Sequence, residues 1–154
     1  MNSLKGHNLT LIKLDHRLEN DCIKLGYLFD SLVLLMDNAL FPWLILVPAP
    51  VGSPAIDEFD LLPRDKQIAL LDQSNQLAAF LRKYYPFDKL NIATIGNIVR
   101  QIHIHIVARS EDDTCWPAVV WGQAKNTPWQ AADVDNLIDS LAAYLPKDFQ
   151  KTSV

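Results

Sequence analysis

The 154-residue sequence predicts an α+β domain in which a mainly antiparallel sheet of about five strands is flanked by helices. Three observations support this class: apolar runs of strand length joined by turn residues, longer stretches with apolar residues at helical spacing, and the order helix, hairpin, helix, hairpin, helix. At this length a single domain spanning residues 1–154, with its core at about 15–145, is the simplest organisation.

The first half of the chain predicts a helix and a hairpin. Apolar residues recur at helical spacing from Asp15 to Phe29, and Asp15 is a suitable N-cap. Two apolar runs, residues 32–36 and 43–47, follow with turn residues between them, and their lack of alternation indicates strands buried on both faces. The proline-rich residues 48–54 then form a loop.

The second half predicts two more helices around a second hairpin. Residues 63–85 have helical spacing and begin with Pro63 in the first turn. Strands are expected at residues 89–94 and 99–109, with a tight reversal at Gly96-Asn97 between them. The last helix is expected at residues 128–145, preceded by a capping box that begins at Thr127.

Composition narrows the class of protein. A formal net charge of −4 argues against binding a nucleic-acid polymer, although a single nucleotide needs only a local site. The most apolar stretch, residues 31–51, is interrupted by Asp37, Asn38, Pro42 and Pro48, so no membrane-spanning helix is expected. Two distant cysteines and no signal-peptide pattern indicate the cytoplasm.

The strand at residues 99–109 carries the residues best suited to chemistry. Alternation places Gln101, His103 and His105 on one face, with three isoleucines on the other. The two histidines are about 7 Å apart along a strand. Such a pair can bind a metal, or one imidazole can attack while its neighbour supplies a proton or hydrogen bond.

These residues resemble the signature of the histidine triad nucleotide hydrolases and transferases, His-φ-His-φ-His-φ-φ, where φ is apolar. Residues 101–107 read Gln-Ile-His-Ile-His-Ile-Val and match at every position except the first. The resemblance extends to Gly96-Asn97 before the motif, to Val47-Pro48 at the end of a strand, and to Trp116-Pro117 after the motif.

The resemblance implies roles for individual residues. His103 corresponds to the histidine that attacks the α-phosphorus and forms a nucleotidyl-histidine, and His105 to the one that binds phosphate oxygens and helps the leaving group depart. Gln101 takes the first position, where its amide can donate to phosphate or orient a neighbour. The resemblance implies no cofactor, and it favours a homodimer.

Substrate-binding residues also follow from the resemblance. Asn38, with Asp37 as the alternative, stands about where the family contacts ribose hydroxyls, unless it is simply a turn residue. Gly96 and Asn97 correspond to a phosphate loop, in which Asn97 either contacts phosphate or only favours the turn. Trp116 and Trp121 are expected to close over the site or to lie at a dimer interface. The chain departs from the family pattern at three polar positions, which here are Val51, Ile98 and Gln101.

Two alternatives remain open. One is a nucleotide-binding protein of the same fold with weak or no catalysis, which the three departures favour. The other is a metal site formed by His103, His105 and a carboxylate from elsewhere, although the sequence places no third ligand.

Overall fold

One sheet organises the computed structural model, which describes residues 11–123 and 126–152. Its strands are β1 (Cys22–Leu28), β2 (Ser31–Met36), β3 (Trp43–Val47), β4 (Lys89–Ala93), β5 (Ile104–Arg109) and β6 (Phe149–Lys151). The sheet has six strands in the order β4-β5-β3-β2-β1-β6, and every neighbouring pair is antiparallel. The predicted α+β class is therefore confirmed, with one strand more than expected.

The helices are α1 (His16–Asp21), α2 (Arg64–Tyr84) and α3 (Ala131–Tyr144), with a short 3-10 turn at Phe59–Leu61. Leucines of α2 and α3 pack with Ile104 and Ile106 in a buried cluster on one face of the sheet. On the opposite face, Leu18 of α1 joins a second cluster with Trp43 and Ile45. No helix in the described ranges is long and apolar enough to cross a membrane.

The predicted helix from Asp15 to Phe29 is wrong beyond Asp21. Asp15 does cap α1, accepting a hydrogen bond of 2.9 Å from the backbone N–H of Arg17. From Cys22 onward the chain is strand β1, because backbone pairing with β2 and β6 overrides the local helical spacing. Gly26 is required there: a Cβ would lie 2.3 Å from the Gln150 backbone oxygen of β6.

The first hairpin is confirmed as β2 and β3, and its residues are buried on both faces. β3 pairs with β5 on its other side, which sets Trp43 opposite Val107 and Ile45 opposite His105. Because paired residues point to the same face, β3 supplies the side chains that surround His105.

The predicted tight reversal at Gly96-Asn97 is wrong. Residues 94–103 form a longer connection between β4 and β5, and β5 begins only at Ile104, after His103. A two-residue hairpin turn needs a residue with positive φ, and neither Gly96 nor Asn97 has one.

Two differences occur at the C-terminal end. The capping box at Thr127 is wrong, because Gln130 is the N-cap of α3 and no side chain caps that helix. β6 lies beyond the predicted core and was missed, since three residues carry no usable alternation and the strand forms by pairing with β1. The predicted helix at residues 63–85 is confirmed as α2, with Pro63 immediately before it.

Candidate functional site

The two imidazoles lie side by side on the face of the sheet opposite α2 and α3. Their ring centroids are 4.8 Å apart and their planes are inclined by 75°. His103 is 5% exposed and His105 is 4% exposed. Strand alternation thus predicts their common face correctly, and burial removes both rings from bulk water.

The hydrogen bond of His103 fixes its tautomer. Its Nδ1 lies 2.7 Å from the backbone oxygen of Gln101, which can only accept. Nδ1 must therefore carry the proton and donate it to this carbonyl. In the neutral ring, Nε2 then holds the lone pair that a nucleophile needs.

The hydrogen bond of His105 fixes the opposite tautomer. The indole Nε1–H of Trp43 donates to its Nδ1 at 2.9 Å. Because indole N–H is a donor only, the proton of neutral His105 is on Nε2. Burial, together with the neighbouring His103, lowers the pKa of His105 to about 3. His105 is therefore a neutral hydrogen-bond donor at physiological pH.

Two tryptophans enclose His105, and Trp116 is not one of them. The ring centroid of His105 lies 5.6 Å from that of Trp43 and 5.3 Å from that of Trp121. Trp116 instead lies against Arg109, whose guanidinium carbon is 5.7 Å from the Trp116 ring centroid. Of the two tryptophans that the sequence proposes for the site, the structure places Trp121 beside the imidazoles.

Arg109 anchors the loop that carries Trp121. Its guanidinium donates to both carboxylate oxygens of Asp113, at 2.6 and 3.1 Å, and to the Ala118 backbone oxygen at 2.8 Å. The side chain of Asp113 is only 7% exposed. A buried bidentate ion pair thus ties β5 to the loop that lies over the imidazoles.

Two adjoining cavities open beside the histidines. The first, here the histidine cavity, has a volume of about 420 Å³ and is lined by both imidazoles and by residues from α1 and the 94–103 connection. The second, here the Asp37 cavity, has a volume of about 500 Å³ and includes Asp37 and Asn38. Asp21, Met36, Trp121 and Gly122 line both. Each volume lies within the range of small-molecule sites.

The remaining predicted substrate-binding residues fall in or beside these cavities. Asn97 lines the histidine cavity, and Gly96 lies next to it in the same connection. Asn38 lines the Asp37 cavity, where its Oδ1 accepts from the backbone N–H groups of Leu40 and Thr127, at 3.3 Å each.

The three departures from the family pattern have different surroundings. Ile98 lines the histidine cavity and is 72% exposed. Val51 packs against the cluster on the α2 and α3 face, away from the imidazoles. The amide of Gln101 is engaged by the N-terminal segment: Oε1 accepts from Asp15 N–H at 2.7 Å and Nε2 donates to the Lys13 oxygen at 3.0 Å.

Sequence reasoning missed Arg17 and Asp21, which both line the histidine cavity. Their signal is the i, i+4 spacing on the helix that Asp15 caps, which puts both on one face of α1. Within residues 11–123 and 126–152, no group of three or more histidines, cysteines or acidic residues is arranged to hold a metal ion.

The fold and the site define a class of proteins with two buried histidines, one just before a central antiparallel strand and one on it. The family model of the HIT domain matches residues 17–112. The chain belongs to the histidine triad (HIT) family.

Crystal structures of three HIT proteins support this assignment. The protein from Sinorhizobium meliloti 1021 is 38% identical, with a TM-score of 0.81, and the match covers 90% of this chain and all of that one. The protein from Bradyrhizobium japonicum is 37% identical, with a TM-score of 0.79 and coverage of 86% and 96%. The Marinobacter aquaeolei VT8 protein is 34% identical, with a TM-score of 0.80 and coverage of 88% and 97%. A comparison with curated proteins gives no match.

The tautomer and charge of His105 are directly measurable. Because its pKa is lowered to about 3 and its Nδ1 accepts from Trp43, we expect it to stay neutral with Nε2 protonated from pH 8 down to pH 5. Histidine ¹⁵N chemical shifts, assigned with a His105→Gln variant, report both properties. A midpoint near the ordinary value of about 6.5, or protonated Nδ1, would contradict this assignment.

Proposed function

We propose that the protein is a nucleotide phosphohydrolase or nucleotidyl transferase that works through a nucleotidyl-histidine intermediate on Nε2 of His103. The observation that carries this proposal is the pair of oppositely fixed tautomers. One buried imidazole offers a lone pair on Nε2, and its neighbour, 4.8 Å away between centroids, offers an N–H on Nε2. Such a pair matches the needs of attack on phosphorus.

In the first step, the Nε2 lone pair of His103 attacks the α-phosphorus. A P–N bond forms while the phosphoanhydride or phosphoramidate bond to the leaving group breaks. The carbonyl of Gln101 stabilises the positive charge that develops on the ring, since it accepts the Nδ1–H of His103. His105 keeps its proton and donates a hydrogen bond from Nε2–H to a phosphate oxygen or to the leaving atom. The leaving group departs with the bonding electron pair and takes any proton it needs from solvent.

In the second step, water or another acceptor attacks the same phosphorus and the P–N bond breaks. The electron pair returns to Nε2 of His103, and the proton of the acceptor passes to solvent. The products are a nucleoside monophosphate, or its ester with the acceptor, and a restored imidazole. The reaction as written needs no cofactor.

The cavities provide room for the rest of the nucleotide. We assign Asn97 and the adjacent Gly96 to the phosphate side, since Asn97 lines the histidine cavity. Asn38 lines the Asp37 cavity and is assigned to the ribose hydroxyls. Trp116 does not contact the nucleotide in this proposal. It packs on the Arg109 side chain, which holds the loop of Trp121.

A nucleotide-binding protein with little catalysis is the second candidate. Ile98 puts an exposed apolar side chain into the histidine cavity, where it offers no hydrogen bond to phosphate. The Gln101 amide bonds to the N-terminal segment and carries no charge. Tight nucleotide binding by the wild-type protein without turnover would favour this candidate.

The test is turnover of adenosine and guanosine phosphoramidates and dinucleoside polyphosphates by wild type and His103→Ala. Removing the nucleophile is expected to lower kcat by at least about a thousandfold. His16→Ala is the matched control, since the side chain of His16 is 72% exposed, and its turnover should equal that of wild type. Turnover that survives in His103→Ala would contradict the proposed mechanism.

We further propose that the protein is a cytoplasmic homodimer that joins two β4 strands edge to edge. β4 is an edge strand of the sheet, and its Ile92 is 47% exposed. Ile68 and Leu71 are exposed on α2 and lie on the same line of that helix as Arg82. The guanidinium carbon of Arg82 lies 5.2 Å from the ring centroid of Phe87, which comes just before β4, so this line of α2 runs toward the β4 edge. An unpaired edge beside an apolar strip favours association.

The proposed cytoplasmic location rests on the cysteines. Two unpaired thiols, Cys22 and Cys115, fit a reducing compartment.

Sedimentation velocity at micromolar concentration tests the dimer. Ile92→Lys places a charge in the proposed interface and should shift the protein to a monomer. Phe29→Lys is the control, because Phe29 is also 47% exposed but lies in the turn between β1 and β2. A wild-type monomer, or equal effects of the two substitutions, would refute this interface.

A further inference from the structure

The side chain at the first triad position is bonded to the N-terminal segment. Both polar atoms of the Gln101 amide bridge to backbone groups that precede α1, the Asp15 N–H at 2.7 Å and the Lys13 oxygen at 3.0 Å. These partners are 86 and 88 residues away in sequence. The amide thus joins residue 101 to two backbone groups just before α1 and fixes where this helix begins.

α1 depends on such contacts for its position. It has only six residues, and a helix of this length is not stable in isolation. Three features hold it in place: the Gln101 bridge, the Asp15 cap and the burial of Leu18, which is 5% exposed. Residues on the same short helix line the histidine cavity.

Arg17 brings a positive charge to that cavity. It is the one lysine or arginine among the described residues that line the cavity, and its guanidinium makes no ion pair within residues 11–123 and 126–152. The Asp37 cavity has two carboxylates in its described lining, Asp21 and Asp37, and neither arginine nor lysine. Arg17 therefore lines only the histidine cavity and Asp37 lines only the Asp37 cavity, while the Asp21 carboxylate lines both.

This separation orients a nucleotide. Carboxylates accept hydrogen bonds from neutral groups and repel phosphate, so the Asp37 cavity suits the nucleoside. Phosphates are attracted toward Arg17, whose planar guanidinium is suited to bidentate phosphate binding. With the α-phosphorus at His103, a cationic group in the same cavity can bind the phosphates that follow.

We propose that Arg17 binds the phosphates beyond the α-phosphate, so that the preferred ligands are nucleoside di- and triphosphates or dinucleoside polyphosphates. Gln101 is a positioning residue in this proposal: it holds α1 so that Arg17 faces the cavity. The inference rests on the proposed function for the location of the nucleotide, but it concerns binding and does not require turnover.

Calorimetric titration of the full chain with AMP and with ATP, both in EDTA, tests the proposal. Wild type is expected to bind ATP more tightly than AMP, and Arg17→Ala to reduce that ATP-to-AMP affinity ratio by at least about tenfold. Arg64→Ala is the control: Arg64 is exposed at the start of α2, so this variant loses the same charge outside the cavity and should keep the wild-type ratio.

Gln101→Ala tests the positioning role. Its ATP-to-AMP ratio should fall in the same direction, and amide hydrogen exchange should accelerate in α1 while the sheet amides keep their protection. In the double variant with Arg17→Ala, the two losses should not add, because both remove the same contact. Additive losses, or unchanged exchange in α1, would overturn this role.

The outcomes separate the inference from the proposed enzyme. Equal affinities of wild type for AMP and ATP, or an unchanged ratio in Arg17→Ala, overturn the inference even when the protein turns over nucleotides through His103. A ratio that depends on Arg17 supports the inference even when no substrate is turned over. Failure of both ligands to bind wild type overturns it as well.

Discussion

The burial of both faces of β5 is the constraint on which the site depends. Ile104 and Ile106 fill the cluster under α2 and α3, so alternation forces His105 into the opposite face. On that face His105 is only 4% exposed, which makes a charged imidazole costly and keeps His105 neutral. A neutral imidazole carries its proton on one of its two nitrogens, and the hydrogen bonds to neighbouring groups determine which one.

Those groups come from separate parts of the chain. The indole of Trp43 reaches His105 because β3 is the neighbour of β5 in the sheet. The carbonyl of Gln101 reaches His103 because the chain is not yet in the ladder at that point: β5 starts at Ile104, so this backbone oxygen accepts from an imidazole. The late start of β5 thus has a direct chemical consequence for the nucleophile.

Residue 101 makes two separate sets of contacts, one through its backbone oxygen and one through its side chain, and a sequence motif does not distinguish them. Its backbone oxygen accepts from His103 Nδ1, a contact that does not use the side chain. Its side chain forms a different set of bonds, to the segment before α1. The glutamine side chain therefore holds the N-terminal segment, and with it the α1 wall of the histidine cavity.

Patterns within a few residues predicted much of this structure. Alternation placed the histidines on one face, and uninterrupted apolar runs identified β2 and β3. Contacts between segments that are distant in sequence could not be predicted from such local patterns. The pairing of residues 22–28 with β2 and β6 overrode a helical spacing, and Trp121 rather than Trp116 reached His105 because Arg109 fixes the loop between them.

Trapping the covalent intermediate tests the central claim most directly. The protein would be mixed with a dinucleoside polyphosphate or an adenosine phosphoramidate, quenched without acid within the first turnover, digested and analysed by mass spectrometry. We expect one nucleotidyl group on the peptide that contains His103, attached at Nε2, and none in His103→Ala. Single-turnover product formation without an adduct at any time, or an adduct on another residue, would contradict it.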